Sequence, residues 1–113
     1  MYLEAISICK KLKGNDNPTY ATYLNNLAQL LSKKGDYDDA IMLQREALAI
    51  QAKTQGVEHP LYASGLNNLA RLLRDTGKKE EARPLGKEAY RIALEVLGPD
   101  HPVTKNYQYW NRF

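Results

Sequence analysis

The sequence has little of what covalent or metal chemistry needs. Its 113 residues include one cysteine, Cys9, and two histidines. A single cysteine excludes an intrachain disulfide framework and a thiolate metal cage, and it fits a reducing compartment such as the cytoplasm. No HExxH, glycine-rich phosphate loop or serine elbow occurs in the sequence. We therefore predict that the chain is not an enzyme and uses no metal or cofactor.

Long apolar runs and a strong charge of one sign are also missing. No stretch approaches the roughly 18 apolar residues needed to cross a bilayer, and the first residues do not resemble a signal peptide. The formal net charge is only +3, which is too weak and too dispersed to indicate a duplex-binding surface. We expect a cytoplasmic protein that binds neither membranes nor nucleic acid.

What the sequence does contain is an internal repeat of 42 residues. The pentapeptide LNNLA occurs at 24–28 and again at 66–70. With a shift of 42, about 17 positions of 17–58 recur in 59–100, well above chance. A junction of glycine, acid and proline closes each unit. The sequence therefore predicts two full repeats, 17–58 and 59–100, with partial units at 1–14 and 101–113.

Each repeat is predicted to form two helices, A and B. Pro18 and Pro60 suit the first turn of helix A, and leucines and alanines follow at the spacing of one buried face. Glycines stand where the helices should end, at 35, 56, 77 and 98. Pro84 lies inside the second helix B, where we expect it to bend the helix without breaking it.

The residues that could suggest catalysis have simpler interpretations. His59 and His101 both precede a junction proline, so we interpret them as capping residues. The acidic pairs Asp38–Asp39 and Glu80–Glu81 stand at the starts of B helices, where carboxylates interact favourably with the helix dipole. Cys9 lies on an apolar helix and is interpreted as a packing residue.

This combination of features resembles the tetratricopeptide repeat. The resemblance is carried by the Leu-x-x-Leu-Ala-x-x-Leu stripe, the glycine eight residues after its central leucine, and the two alanines of helix B. The 42-residue period, the LNNLA core and the junctions are similar to the kinesin light chain type of this repeat. The resemblance implies an all-α fold, a right-handed superhelical stack of antiparallel helix pairs whose A helices line a concave groove.

The resemblance also implies where a peptide would bind. The A-helix positions beside the apolar stripe are polar in both repeats: Thr22, Asn25, Gln29 and Lys33, then Ser64, Asn67, Arg71 and Arg74. An asparagine amide can hold the backbone of an extended peptide because it has both a donor and an acceptor. Arg71 and Arg74 favour an acidic or C-terminal carboxylate ligand. The alternative is that this row is only a solvated helix face.

The two asparagines of LNNLA are given different roles. Asn25 and Asn67 are predicted to face the groove, and Asn26 and Asn68 are predicted to be structural. The alternative is that one asparagine of each pair bonds to a neighbouring helix and only sets the stacking of the repeats.

The last unit departs from the repeat. Tyr107, Trp110 and Phe113 replace the leucine stripe, and we interpret this segment as a capping helix over the last pair; an aromatic contact surface for another protein is the alternative. Gln44 and Gly86 stand where the ordinary repeat often has a bulky aromatic residue, so light packing between repeats is expected there.

These observations favour a scaffold or adaptor module that binds an extended, acidic peptide of a partner protein. Two alternatives remain open at this stage. The chain could be a structural segment that self-associates through its incomplete ends, as a homo-oligomer or within a longer solenoid. It could also be the regulatory repeat region of a larger signalling protein.

Overall fold

A computed structural model of the chain describes residues 18–112, and every regular element in that range is helical. The elements in chain order are α1 (Pro18–Lys33), α2 (Tyr37–Thr54), α3 (Pro60–Asp75), α4 (Lys79–Leu97), the short α5 (Pro102–Tyr107) and the 3-10 helix η1 (Gln108–Arg112). The predicted partial helix at 1–14, with Cys9, and the terminal Phe113 lie outside the described residues. Of the predicted capping helix, the described part is one short α-helix followed by a 3-10 turn.

The helices form two units, which we describe separately. Unit 1 extends to Gly56 and contains α1 packed against α2. Unit 2 begins at Val57; in it α3 packs against α4, and α5 and η1 pack against α4 as well. Each unit is thus built on one of the predicted helix pairs.

The core of each unit is the apolar stripe predicted for its A helix. These side chains are at most 6% exposed: Leu24, Leu27, Ala28 and Leu31 in α1, and Leu66, Leu69, Ala70 and Leu73 in α3. A well-buried leucine contributes about 1.5–3 kcal/mol. On the partner helices Ala40 and Ala47, and likewise Ala82 and Ala89, are at most 1% exposed. A larger side chain at these positions would separate the paired helices.

The helix ends confirm the predictions made from proline, histidine and glycine. The Nδ1 atom of His59 accepts a hydrogen bond from the backbone N–H of Leu61 at 3.0 Å, and His101 does the same for Val103 at 3.1 Å. Both histidines therefore cap the helix that follows. The four predicted stop glycines all have a positive φ, between 87° and 90°. The helix α4 continues through Pro84, as expected.

Gly98 ends α4 in a backbone conformation that is almost restricted to glycine. Its φ is 90° and its ψ is 162°. No atom lies within 4 Å of the position that a Cβ would take, so a substitution would add backbone strain and no clash. We expect Gly98→Ala to lower the free energy of unfolding in urea by about 1–3 kcal/mol. Asp100→Ala, at an exposed position of the same junction, is the control. Equal stability of the two variants would contradict this account of Gly98.

Candidate functional site

In unit 1 the predicted polar row lies on α1. Thr22, Gln29 and Lys33 are exposed, and Asn25 is half-buried. The Oδ1 atom of Asn25 accepts a hydrogen bond from Nε2 of Gln44 on α2. Gln44 is completely buried. Asn25 is therefore tied to its partner helix through one side of its amide.

In unit 2 three residues of the predicted row line one cavity. Asn67, Arg71 and Arg74 of α3 border a space of about 390 Å³, together with residues of the C-terminal segment, namely Asn106, Tyr109 and Trp110. We call this space the α3 cavity. The fourth predicted residue, Ser64, is half-buried and lies near the hydroxyl of Tyr107. Burial raises the pKa of the Tyr107 phenol, because the interior disfavours the phenolate.

Sequence reasoning missed Asn106 and Tyr109, although the repeat itself carries the signal. A shift of 42 positions places Asn106 on Ser64 and Tyr109 on Asn67. The segment after His101 therefore continues the polar row of the earlier helices even though the leucine stripe has ended. Applying the repeat offset to the partial unit would have identified both residues.

Asn67 is only 7% exposed and makes a buried hydrogen bond within its own unit. Its Oδ1 atom accepts from the indole Nε1–H of Trp110 at 2.7 Å. Asn26 is exposed and Asn68 is half-buried. The burial of these two side chains gives no support to a structural role for the second asparagine of each pair. The first asparagine of each pair makes the intramolecular bond.

The prediction of light packing is wrong at Gly86. Gln44 is completely buried, and Gly86 is buried beneath Trp110. A Cβ built on Gly86 would lie 2.6 Å from Cε2 of Trp110 and closer still to Cδ2 and Cγ. The physical reason is that the indole ring, carried by η1, occupies the space that a side chain at position 86 would need.

The two arginines beside the α3 cavity differ in their pairing. Arg74 forms an ion pair with Asp75 at 3.1 Å and lies over the rings of Tyr109 and Trp110, 5.3 and 5.8 Å from their centroids. Burial opposes its charge, but hydrogen bonds to Tyr109 and Asp75 outweigh that effect and raise its pKa. Arg71 is exposed, and within residues 18–112 no carboxylate pairs with it. Arg71 thus leaves a positive charge available at the cavity.

In contrast to Arg71, Arg91 is paired with several carboxylates. It contacts Glu58, Glu88 and Glu95 at 3.1, 2.7 and 2.9 Å. Its hydrogen bond lowers the pKa of the Glu88 carboxyl. This network ties the junction before α3 to α4, and its three carboxylates outnumber the single guanidinium. Arg91 therefore has a structural role.

A second cleft adjoins the α3 cavity at the start of α4. It has a volume of about 290 Å³ and is lined by Arg74, Lys79, Ala82, Arg83, Tyr109 and Trp110. Its lining contains three cationic side chains and no carboxylate. Two of these cations are paired with carboxylates outside the lining, Arg74 with Asp75 and Arg83 with Glu80. Over the described range we find no cluster of His, Cys, Asp or Glu suited to a metal ion, and none of the described helices has the length and apolarity to cross a membrane.

Comparison with protein families supplies the decisive observation. The tetratricopeptide repeat family matches residues 1–53 and 24–95. The chain belongs to this family. The helix pairs of units 1 and 2 are thus tetratricopeptide repeats, and the predicted all-α repeat fold is confirmed.

The structure of this tetratricopeptide chain is similar to solved structures of kinesin light chain-like repeats. BtubC (BKLC) from P. vanneervenii is 25% identical, with a TM-score of 0.80, over 94% of this chain and 42% of its own. Two crystal structures of nearly identical TPR-like repeats from a candidate kinesin light chain of Podosopora anserina are 27% identical, with TM-scores of 0.81 and 0.78. They match 96% of this chain and 51% and 52% of their own length.

The chain spans about half the length of these structures. A search of curated proteins found no match to the sequence. The comparisons therefore establish the repeat family and its kinesin light chain-like type, and tetratricopeptide repeats in general mediate interactions between proteins.

Proposed function

We propose that this chain is a non-catalytic, cytoplasmic interaction module that binds an extended, acidic segment of a partner protein. The ligand contacts the polar row of its A helices, Thr22, Asn25, Gln29 and Lys33 on α1 and Ser64, Asn67, Arg71 and Arg74 on α3. The observation that carries the proposal is the α3 cavity. It combines an arginine that has no carboxylate partner with amide groups and aromatic walls in one concave space, which are the features of a peptide site.

The outer surface of the C-terminal segment, α5 and η1, helps to decide between peptide binding and the alternative of self-association. Its inward residues Thr104, Tyr107 and Trp110 are buried, whereas Lys105, Gln108 and Asn111 are exposed and polar. A repeat array that stacks onto another copy needs an apolar end face. The polar outer face of α5 and η1 therefore favours peptide binding over self-association through this end. Light scattering that shows a dimer at micromolar concentration would reverse this preference.

The proposal is tested with a blocked hexaglutamate peptide as the acidic probe. We expect Arg71→Ala to weaken its binding about three- to tenfold at low salt, because a partly exposed charge-assisted contact is lost. Lys87→Ala is the matched control: it removes one positive charge from an exposed position of unit 2 that does not line the cavity. Titration calorimetry measures both affinities, and far-UV circular dichroism confirms that both variants remain helical.

Two outcomes would overturn the proposal. If the wild-type chain does not bind hexaglutamate, the acidic-peptide function is wrong. If Arg71→Ala and Lys87→Ala weaken binding equally, the peptide responds to net charge and the α3 cavity is not its site.

A further inference from the structure

We infer that Trp110 is a positioning residue, which holds the amide of Asn67 with its N–H2 group toward the α3 cavity and so makes the cavity selective for oxygen acceptors, carboxylates above all. This inference rests on the proposed function and specifies the ligand chemistry of the same site. It assigns to Trp110 a role in specificity in addition to packing.

The orientation of the Asn67 amide follows from the chemistry of indole. An indole Nε1–H can only donate a hydrogen bond. The Asn67 atom that lies 2.7 Å from it is therefore the acceptor Oδ1, and Nδ2 must occupy the other branch of the amide. Within residues 18–112 Nδ2 has no hydrogen-bond partner, and it is not among the polar atoms sealed from solvent. Because Asn67 lines the α3 cavity, its free donors are available to a ligand there.

The same arrangement occurs in unit 1 with a different donor. Asn25 is the repeat equivalent of Asn67, and its Oδ1 accepts from Gln44. The equivalent of Gln44 in unit 2 is Gly86, which has no side chain to donate. Trp110 occupies the space of the missing side chain and supplies the donor instead. In each repeat a donor from an unrelated side chain thus lies against the Oδ1 atom of the equivalent asparagine.

Fixing this amide changes what the cavity can recognise. With Oδ1 occupied, Asn67 offers only donors, and the two arginines beside it also offer only donors. A carboxylate can accept from all three groups. A side-chain amide of the same shape would bring its own N–H2 against them and leave donors unpaired, which is costly in a partly buried site. We expect a preference for acid over amide that exceeds the effect of charge.

The variants distinguish the effect of the indole N–H donor from the effect of the volume of the indole ring. Trp110→Phe keeps an aromatic ring and removes the N–H. The double variant Gly86→Gln with Trp110→Ala rebuilds in unit 2 the glutamine–asparagine pair of unit 1. Its matched control, Gly86→Leu with Trp110→Ala, places a side chain of similar size on α4 without a donor. Arg71 and Arg74 are present in every variant, so the charge of the site is constant.

The probes are blocked hexaglutamate and blocked hexaglutamine, and the measured quantity is the ratio of their affinities. We expect this ratio to fall about three- to tenfold in Trp110→Phe and in the leucine double variant, which corresponds to the loss of one ordinary hydrogen bond. The glutamine double variant should restore it. In the wild-type chain, the 15N-resolved Nδ2 protons of Asn67 should shift on addition of hexaglutamate, a measurement that does not depend on any variant folding.

The possible negative results lead to different conclusions. An unchanged affinity ratio in Trp110→Phe, or Asn67 Nδ2 resonances that stay fixed while hexaglutamate saturates the site, overturns the inference and leaves the peptide-binding function standing. Equal behaviour of the glutamine and leucine double variants also overturns it, because Trp110 would then act through volume alone. If the wild-type chain binds neither peptide, the proposed function and the inference are both wrong.

Discussion

Ending the chain at Lys105 is expected to lower its melting temperature by on the order of 15 °C or more. The deletion removes Tyr107 and Trp110, which are 6% and 3% exposed and pack in unit 2. Loss of one large buried aromatic side chain costs about 3–5 kcal/mol, and 1 kcal/mol corresponds to about 4–8 °C in a domain of this size. Neighbouring repeats depend on such interfaces because a single helix pair cannot bury its apolar face. Thermal unfolding followed at 222 nm measures the effect.

The control for this deletion uses the outer face of the same segment. Gln108→Ala and Asn111→Ala change exposed positions and should each leave the melting temperature within about 4 °C, since surface substitutions rarely exceed 0.5 kcal/mol. A deleted chain that melts at the wild-type temperature would show that α5 and η1 are not part of the cooperative unit, and the interpretation of this segment as a cap would be wrong.

The helix pairs could be predicted because local and repeated signals agree. Proline at the first turn, an apolar stripe at helical spacing and a stop glycine recur in the same order in both repeats, and each of them acts within a few residues. The buried stripe of Leu24 and Leu27 and the left-handed conformation of Gly35 follow directly from these signals. The capping histidines follow in the same way from their position before a proline.

The contacts of Gly86 and Asn67 could not be predicted, because they depend on a residue from another element. Trp110 is 24 positions from Gly86 and 43 positions from Asn67. A glycine inside a helix indicates only that the position is small; it does not identify what fills the space. Similarly, an asparagine on the polar side of a helix could face solvent, a ligand or a neighbouring side chain. Only the path of η1 decides between these possibilities.

Trp110 links the stability of unit 2 to the chemistry of the candidate site. Its ring packs on α4, its N–H bonds to Asn67 on α3, and its face lies near the guanidinium of Arg74. A ligand in the α3 cavity would therefore contact side chains whose positions are set by the docked C-terminal segment. Binding and the melting temperature should rise together in a series of ligand concentrations, as expected for a ligand that binds only the folded state.

A substitution at Gly86 tests whether the indole of Trp110 packs on α4. Its effect on the free energy of unfolding should change sign when the indole is removed. In an exposed helix interior, glycine to alanine is stabilising by roughly 0.5–1 kcal/mol. At position 86 the new Cβ would lie within 2.6 Å of the Trp110 ring, so the ring must move and its bond to Asn67 must break. We expect Gly86→Ala to destabilise the chain by about 2–4 kcal/mol, as the sum of overpacking and a lost buried hydrogen bond.

The matched background for this test is Trp110→Ala, in which no ring opposes the new methyl group. There, Gly86→Ala should become stabilising by about 0.5–1 kcal/mol, since only the helix preference of alanine remains. Urea unfolding of the four chains gives a double-mutant cycle with a coupling energy of more than about 2 kcal/mol. If Gly86→Ala stabilised the chain with Trp110 in place, the indole could not lie against α4 and could not reach the amide of Asn67. The positioning of that amide would then require another explanation.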